Sequence, residues 1–134
     1  MSHKPLPRPN TDSQPYWSGT AQDEVRYQHC AACARAQFPP RGACAHCGGP
    51  LAWAVSAGRG SIHSYTRVAR APSAAFKADL PYVLLLVDMD EGFRLLLTLR
   101  DPQAEATIGQ RVRVVFEATE DPAIKLPQAV EDVD

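Results

Sequence analysis

Cys30-Ala31-Ala32-Cys33 and, ten residues further on, Cys44-Ala45-His46-Cys47 decide how this chain is read. Each C-x-x-C is a tight knuckle that points two thiolates inward. The short excursion between them lets the knuckles face each other across one ion. Zinc suits four thiolates because it is borderline-soft, redox-inert and content with a tetrahedron. The chain has four cysteines in all, so none is left over. Gly48 and Gly49 follow the second knuckle, where the backbone must turn sharply. Two disulfides would need an oxidising compartment, and no secretory signal is visible; a redox C-x-x-C accompanies a βαβ pattern, which is absent. Four thiolates fill the shell, whereas a catalytic zinc keeps a position open to water, so the expected metal is a structural staple. Such a site contributes about 10–16 kcal/mol to folding a small module. His29 and His46 sit beside ligand cysteines and read as solvent-facing or supporting groups, with His46 in place of a cysteine the lesser alternative.

The 134 residues suffice for one ordinary domain, or for a small metal module plus a compact barrel. Hydrophobic residues make up 45%, enough for a real core, yet no apolar run approaches a membrane span. A soluble, cytoplasmic protein with no membrane contact is expected. The net charge of −1 hides a segregation: residues 25–78 carry seven basic groups and no acid, while residues 79–134 carry five basic and twelve acidic groups. A basic middle points to an anionic partner, either nucleic acid or a phosphorylated small molecule; the plainer reading is a solvated face that pairs with the acidic half.

Three stretches follow from pattern: 1–24 as an N-terminal extension and helix, 25–56 as a zinc ribbon and 57–134 as a barrel. The proline-rich first ten residues read as disordered or as extended against a neighbour. Thr11, Asp12 or Ser13 is placed to cap a helix starting near Gln14-Pro15 and carrying Tyr16 and Trp17. That helix is too short to stand alone, so both aromatics must bury against the body or against another protein. Val25 to Gln28 and Leu51 to Val55 read as ribbon strands, and Phe38 is expected to cover the metal site. Gly58 and Gly60 break the pattern before Ser61 to Arg70, where Ile62, Ser64, Thr66 and Val68 fall on one face. His63 and Tyr65 share the other, as core or groove groups. Residues 71–80 read as a loop with one helical turn. Tyr82-Val83-Leu84-Leu85-Leu86-Val87 is a continuous apolar run typical of a strand buried on both faces. Asp90-Glu91-Gly92 turns it into a hairpin with Phe93 to Leu99. Arg111 to Phe116 follows, and Ile124 to Leu126 closes the sheet before Pro127. Mainly β, with five strands and a long excursion behind the ribbon, fits an OB-fold, and closure removes exposed edges.

The order of these pieces resembles a family. From about Thr11 to Pro127 the chain is similar to the zinc-ribbon/OB-fold proteins associated with acyl-CoA enzymes, catalogued as domain of unknown function 35. The resemblance rests on Tyr16-Trp17, the ribbon with Phe38-Pro39-Pro40-Arg41 inside it, Gly60 to Thr66, Leu80-Pro81-Tyr82-Val83, Asp90-Glu91-Gly92 and Lys125-Leu126-Pro127. The residues after Pro127 depart from the family's aromatic-basic ending. The resemblance implies an N-terminal helix, a rubredoxin-like zinc ribbon and a C-terminal OB barrel. It also implies a non-catalytic accessory subunit that binds acyl-CoA or supports a partner thiolase, aldolase or hydratase acting on CoA thioesters.

No nucleophile-base constellation is legible; Ser73 has no His or acid near it in sequence to activate it. CoA phosphates need Arg or Lys donors and adenine needs a flat apolar contact, which nominates Arg41, Arg59, Arg67, Arg70 and Lys77 with Phe38 and Phe76. Tyr16 and Trp17 are nominated for the partner interface. The competing reading is a nucleic-acid-binding ribbon/OB module. The acidic surplus of the segment that would form the groove argues against it.

Overall fold

Helix α1 (Gln14–Thr20) begins where Pro15 predicts it, in a computed structural model that describes residues 5–133. Residues 1–4 of the proline-rich start and residue 134 of the acidic end lie outside the described residues. Ser13 holds the cap position, but its hydroxyl bonds backwards: it accepts the Asn10 N–H (3.0 Å) while Asn10 Oδ1 accepts the Ser13 N–H (2.8 Å). The pair closes the turn before the helix rather than its first orphan donors.

The ribbon is a three-stranded antiparallel sheet, β1 (Arg26–Cys30), β2 (Ala36–Gln37) and β3 (Leu51–Val55), in the order β2-β1-β3. β2 is two residues long and left no periodicity to read. Behind it, β4 (Arg59–Val68), β5 (Tyr82–Met89), β6 (Arg94–Leu99), β7 (Arg111–Ala118) and β8 (Lys125–Glu131) close a barrel in the order β4-β5-β6-β8-β7. The β6–β8 pairing is parallel and the others are antiparallel. A 3-10 helix, Ala74–Asp79, lies in the β4–β5 connection. The mainly β architecture of helix, ribbon and five-stranded OB-like barrel is the one expected.

Several local expectations change. The apolar run in β5 is buried on one face only: Val83, Leu85 and Val87 enter the core, while Leu84 and Leu86 face outward half-buried. Across from Leu86, Leu96 is 67% exposed. A closed barrel has one interior, and the 3-10 helix reaches only the end of this outer face at Tyr82 and Leu84, where Phe76 approaches Tyr82. In β4 the register slips between Ile62 and Ser64, leaving His63 unopposed. Such a bulge flips the alternation that follows. Ile62 points into the core, but Ser64, Thr66 and Val68 turn outward with Leu86, Leu84 and Tyr82. Tyr65 and Arg67 take the inner side, opposite Leu85 and Val83. They stay exposed because β7 pairs β4 only from Arg59 to Ser61. His63 is exposed too, with Nδ1 3.1 Å from Asp88 Oδ2, so neither it nor Tyr65 is a core group.

β8 does not stop before Pro127 but runs through it, opposite Phe116. β6 reaches only Gln128 and Ala129, so at Pro127 the strand has a partner on one side alone, where a missing N–H is tolerated. Gly60 does not break the pattern either. It lies inside β4, and a Cβ there would sit 2.5 Å from the Asp88 carbonyl oxygen.

Ribbon and barrel are joined by rings. Tyr27 of β1 stacks on Phe93 (centroids 4.7 Å apart), and Phe38 leans on Phe93 (6.2 Å) and on Tyr16 (5.0 Å). Phe38 therefore wedges helix, ribbon and barrel together; its expected place over the metal site is not the one it takes. The linker is tied by Glu91, whose carboxylate accepts the Ser56 hydroxyl (2.7 Å) and the Ala57 N–H (2.8 Å).

Gly60→Ala should destabilise the fold by about 1–3 kcal/mol, because backbone rather than a flexible side chain must yield. Denaturant melts check this. An unchanged midpoint would contradict the close β4–β5 approach.

Candidate metal centre and its surroundings

The two knuckles are built alike. In the first, the Cys30 carbonyl accepts the Ala34 N–H (2.9 Å) and the Cys30 sulfur accepts the Cys33 N–H (3.4 Å). In the second, the Cys44 carbonyl accepts the Gly48 N–H (2.9 Å) and the Cys44 sulfur accepts the His46 N–H (3.4 Å). Each knuckle leaves through a left-handed residue, Ala34 (φ 63°) and Gly48 (φ 74°). The second meets that demand with glycine, as the sequence reading expects; the first holds a Cβ in a region it disfavours.

The four sulfurs lie within 4.8 Å of one another, with Cys30–Cys47 at 3.5 Å and Cys33–Cys44 at 3.7 Å. Zinc–sulfur bonds of about 2.3 Å in a tetrahedron place the ligands about 3.8 Å apart, so the donor set fits such an ion. The Cys33 N–H lowers the Cys30 thiol below its usual value, and the N–H groups of Cys47 and His46 bring Cys44 down to about 6. Cys47 goes the other way, to about 12: the Gly49 N–H favours its thiolate, but the neighbouring Cys30 sulfur, with those of Cys33 and Cys44, holds the proton. Four thiolates this close repel one another unless a cation sits between them. Cys30 and Cys44 are buried and Cys47 is exposed, so the centre lies at the surface of the ribbon.

Two buried amides frame this centre and had no signal in the sequence. Gln28 grips the segment between the knuckles at Arg41, donating to its carbonyl and accepting its N–H, both at 2.8 Å. Gln37 donates to Gln28 Oε1 (3.3 Å) and accepts the Ala45 N–H (2.8 Å), which ties β2 to the second knuckle. Nothing in residue type separates these glutamines from exposed ones; only the three-dimensional return of the loop does.

The residues nominated for CoA do not converge on one place. Arg41 and Phe38 line a groove of about 530 Å³ between ribbon and barrel, together with His46, Phe93 and Arg94. Phe76 lines a separate cavity of about 340 Å³ beneath the 3-10 helix. Arg59 pairs with Asp132 (3.7 Å), and Arg67 donates to the Pro102 carbonyl (3.2 Å). Eight residue steps of strand separate those two arginines, about 26 Å, so one phosphate cannot bridge them. Arg70 and Lys77 are exposed. Of the two aromatics nominated for a partner, Tyr16 is 5% exposed against Trp17 and Phe38, and burial pushes its phenol well above the usual value. It belongs to the interior; Trp17 is half-buried. Across the barrel, the Arg94 guanidinium holds Asp88 below the usual carboxylate range, and Arg111, bidentate at 2.7 Å, does the same to Asp90. Both pairs lie within the acidic stretch; it is Arg59 with Asp132 that links the basic stretch to the acidic one. No helix of the described residues is long and apolar enough to cross a membrane.

Comparison with known proteins agrees with this architecture. Residues 17–53 match the family described as ChsH2, rubredoxin-like zinc ribbon domain, and residues 53–117 match ChsH2, C-terminal OB-fold domain. A probable enoyl-CoA hydratase alpha subunit of Thermomonospora curvata is 36% identical over 98 residues, covering 72% of this chain. The chain spans only 30% of that relative's length. A DUF35 domain-containing scaffold protein of Methanothermobacter thermautotrophicus is 36% identical over 90 residues, covering 65% of this chain and 67% of the relative. Among solved structures, a chain of the Ltp2-ChsH2(DUF35) aldolase superposes with a TM-score of 0.81 at 32% identity, covering 96% of this chain and 100% of that one. With both halves matched in order and the whole fold superposed, the chain belongs to the ChsH2/DUF35 family of zinc-ribbon OB-fold proteins.

Proposed function

We propose that this chain is a non-catalytic accessory subunit, stapled by one structural zinc on Cys30, Cys33, Cys44 and Cys47, for a thiolase-like, aldolase or hydratase enzyme acting on CoA thioesters. The observation that carries this reading is the likeness of the entire fold, helix, ribbon and barrel together, to a chain of an assembly named as an aldolase. The name of the hydratase relative supports the same substrate class. The division at residues 25–56 and 57–134 belongs to this reading. The zinc, when bound, supplies structural cross-linking; the chain's own backbone N–H groups orient the knuckles, and Phe38 and Phe93 join ribbon to barrel by packing. Half-buried Trp17 and the outward pair Leu86 and Leu96 offer the partner an apolar surface. That outer barrel face carries leucines rather than cations interleaved with rings, which favours a protein contact over nucleic acid.

Purified chain washed with chelator while folded should retain about one zinc per chain by elemental analysis. Cys33→Ser should lose the metal and most soluble expression. A folded, metal-free protein with four titratable thiols would sink the structural role.

The chain alone should show no turnover of CoA thioesters. Steady hydrolysis or carbon–carbon cleavage by the purified protein would refute the accessory role.

Co-expressed with a genomically adjacent thiolase-fold or hydratase-fold protein, it should co-elute on size exclusion; for a thiolase-fold dimer, one copy per subunit is expected. Leu96→Lys should abolish co-elution with the circular dichroism spectrum and zinc content unchanged, because an exposed leucine contributes to an interface and not to the core. A chain that never co-elutes across several salt concentrations contradicts the reading.

A further inference from the structure

We propose that the open edge of β4, from Ser64 to Val68, takes up an extended, acidic segment of the partner enzyme as one further strand. Who the partner is rests on the accessory-subunit reading above; that the edge takes a strand is argued from the pairing itself.

β4 outruns its neighbour. β7 begins at Arg111 and pairs β4 only at Arg59, Gly60 and Ser61. One more rung follows, where Ile62 donates to the Gln110 carbonyl (2.9 Å) and accepts the Gly109 N–H (2.8 Å). Gly109, at φ 89°, then turns the other chain away. On its opposite side β4 stays paired with β5 as far as Val68, across from Tyr82. From Ser64 to Val68 the strand thus has a ladder on one side and, among the described residues, no paired strand on the other. Alternate residues of a strand bond to alternate sides, so part of this backbone points at the gap. The open edge is about 17 Å long, the span of an ordinary strand.

The faces are open as well, since His63 to Arg67 are all exposed. An unpaired edge is a template for another chain, and native edges are commonly blunted by proline, lysine or a bulge. β4 holds no proline and no lysine, and its bulge lies at His63, ahead of the open stretch rather than within it. Tyr65, Thr66 and Val68 are aromatic or β-branched and suit a strand that gains a neighbour. What such an edge recognises first is an extended backbone.

The side chains choose which one. Between His63 and Arg70 there are two arginines and no acid. Nearby acids are engaged elsewhere. Asp88 is held by Arg94 and His63, Asp101 accepts the Gln103 N–H (2.9 Å), and Glu105 lines a separate hollow with Glu131. A second copy laid antiparallel about Thr66 would bring both Arg67 side chains to one face, which disfavours it; an acidic residue there is favoured. The position agrees with a partner contact. Ser64 and Thr66 lie opposite Leu86 and Leu84, so the edge borders the leucine face offered to the partner.

The full zinc-loaded chain is co-expressed with the genomically adjacent thiolase-fold or hydratase-fold enzyme. Amide hydrogen exchange is then read residue by residue, in the chain alone and in the complex. In the complex, alternate amides from Ser64 to Val68 should slow about tenfold or more, while those already bonded to β5 change little. Arg67→Glu should weaken the complex about tenfold, because attraction becomes repulsion, and Arg67→Lys should largely keep it. Tyr65→Glu repeats the charge test should the first variant misfold. A complex that leaves these amides unchanged, or slows all of them evenly, overturns strand addition and leaves the subunit reading standing. Undiminished affinity in both glutamate variants does the same. Slowing in the isolated chain that grows with its concentration gives the edge to a second copy and overturns the proposal. No complex at all overturns both readings.

Discussion

Everything in front of the barrel depends on four sulfurs being held in one place. A three-stranded sheet with a two-residue edge strand encloses no core of its own; among its residues the fully buried side chains are few, and one of them is Cys30 itself. The backbone does its share by aiming N–H groups at Cys30 and Cys44, which favours their anionic forms. That same preparation makes the cluster unfavourable without a cation. The ribbon is thus folded in a state that the metal completes, and the loop between the knuckles is drawn in by amide side chains rather than by apolar ones.

The barrel solves a different problem. Its core is supplied by alternate residues of β5 and β6, and closure through the parallel β6–β8 contact leaves the other alternate residues outside. Their leucines are the reason the chain reads as more hydrophobic than one small barrel requires. Packing between the two units passes through a short series of rings, Tyr16 to Phe38 to Phe93 to Tyr27, so the helix, though brief, is anchored at the same junction as the ribbon and barrel.

What the sequence made legible follows from what is local. Cysteine spacing, Pro15 in a first turn, the Asp90-Glu91-Gly92 turn and period-two alternation are all written in neighbouring residues, and the helix, the two longer ribbon strands and the barrel strands, apart from the length of β8, stand where these signals put them. The misreadings share a different cause. The bulge at His63 is a one-residue slip that only the pairing with β5 defines, so the face assignment after Ile62 inverted. The continuous run from Tyr82 to Val87 is compatible with burial on both faces, and nothing local says that one face stays outside. Pro127 looks like a stop because a lone strand cannot show which of its sides lacks a neighbour. Tyr16 was recognised as needing burial and Phe38 was placed over the metal site, but Phe38 packs instead on Tyr16 and on Phe93, more than fifty residues further on. For the site, the ligand cysteines were legible as a set, whereas the nominated cations were grouped by charge alone and the fold distributes them over separate surfaces.

The Glu91 carboxylate, on the turn between β5 and β6, reaches back thirty-five positions to Ser56 and thirty-four to Ala57. A surface hairpin ordinarily tolerates changes of length better than any other part of a fold. Here one inserted residue would rotate the carboxylate away from the linker and leave the Ala57 N–H to solvent. The turn therefore behaves as a fixed-length spacer. Variation in length that this architecture accumulates should fall in the β4–β5 and β6–β7 connections instead.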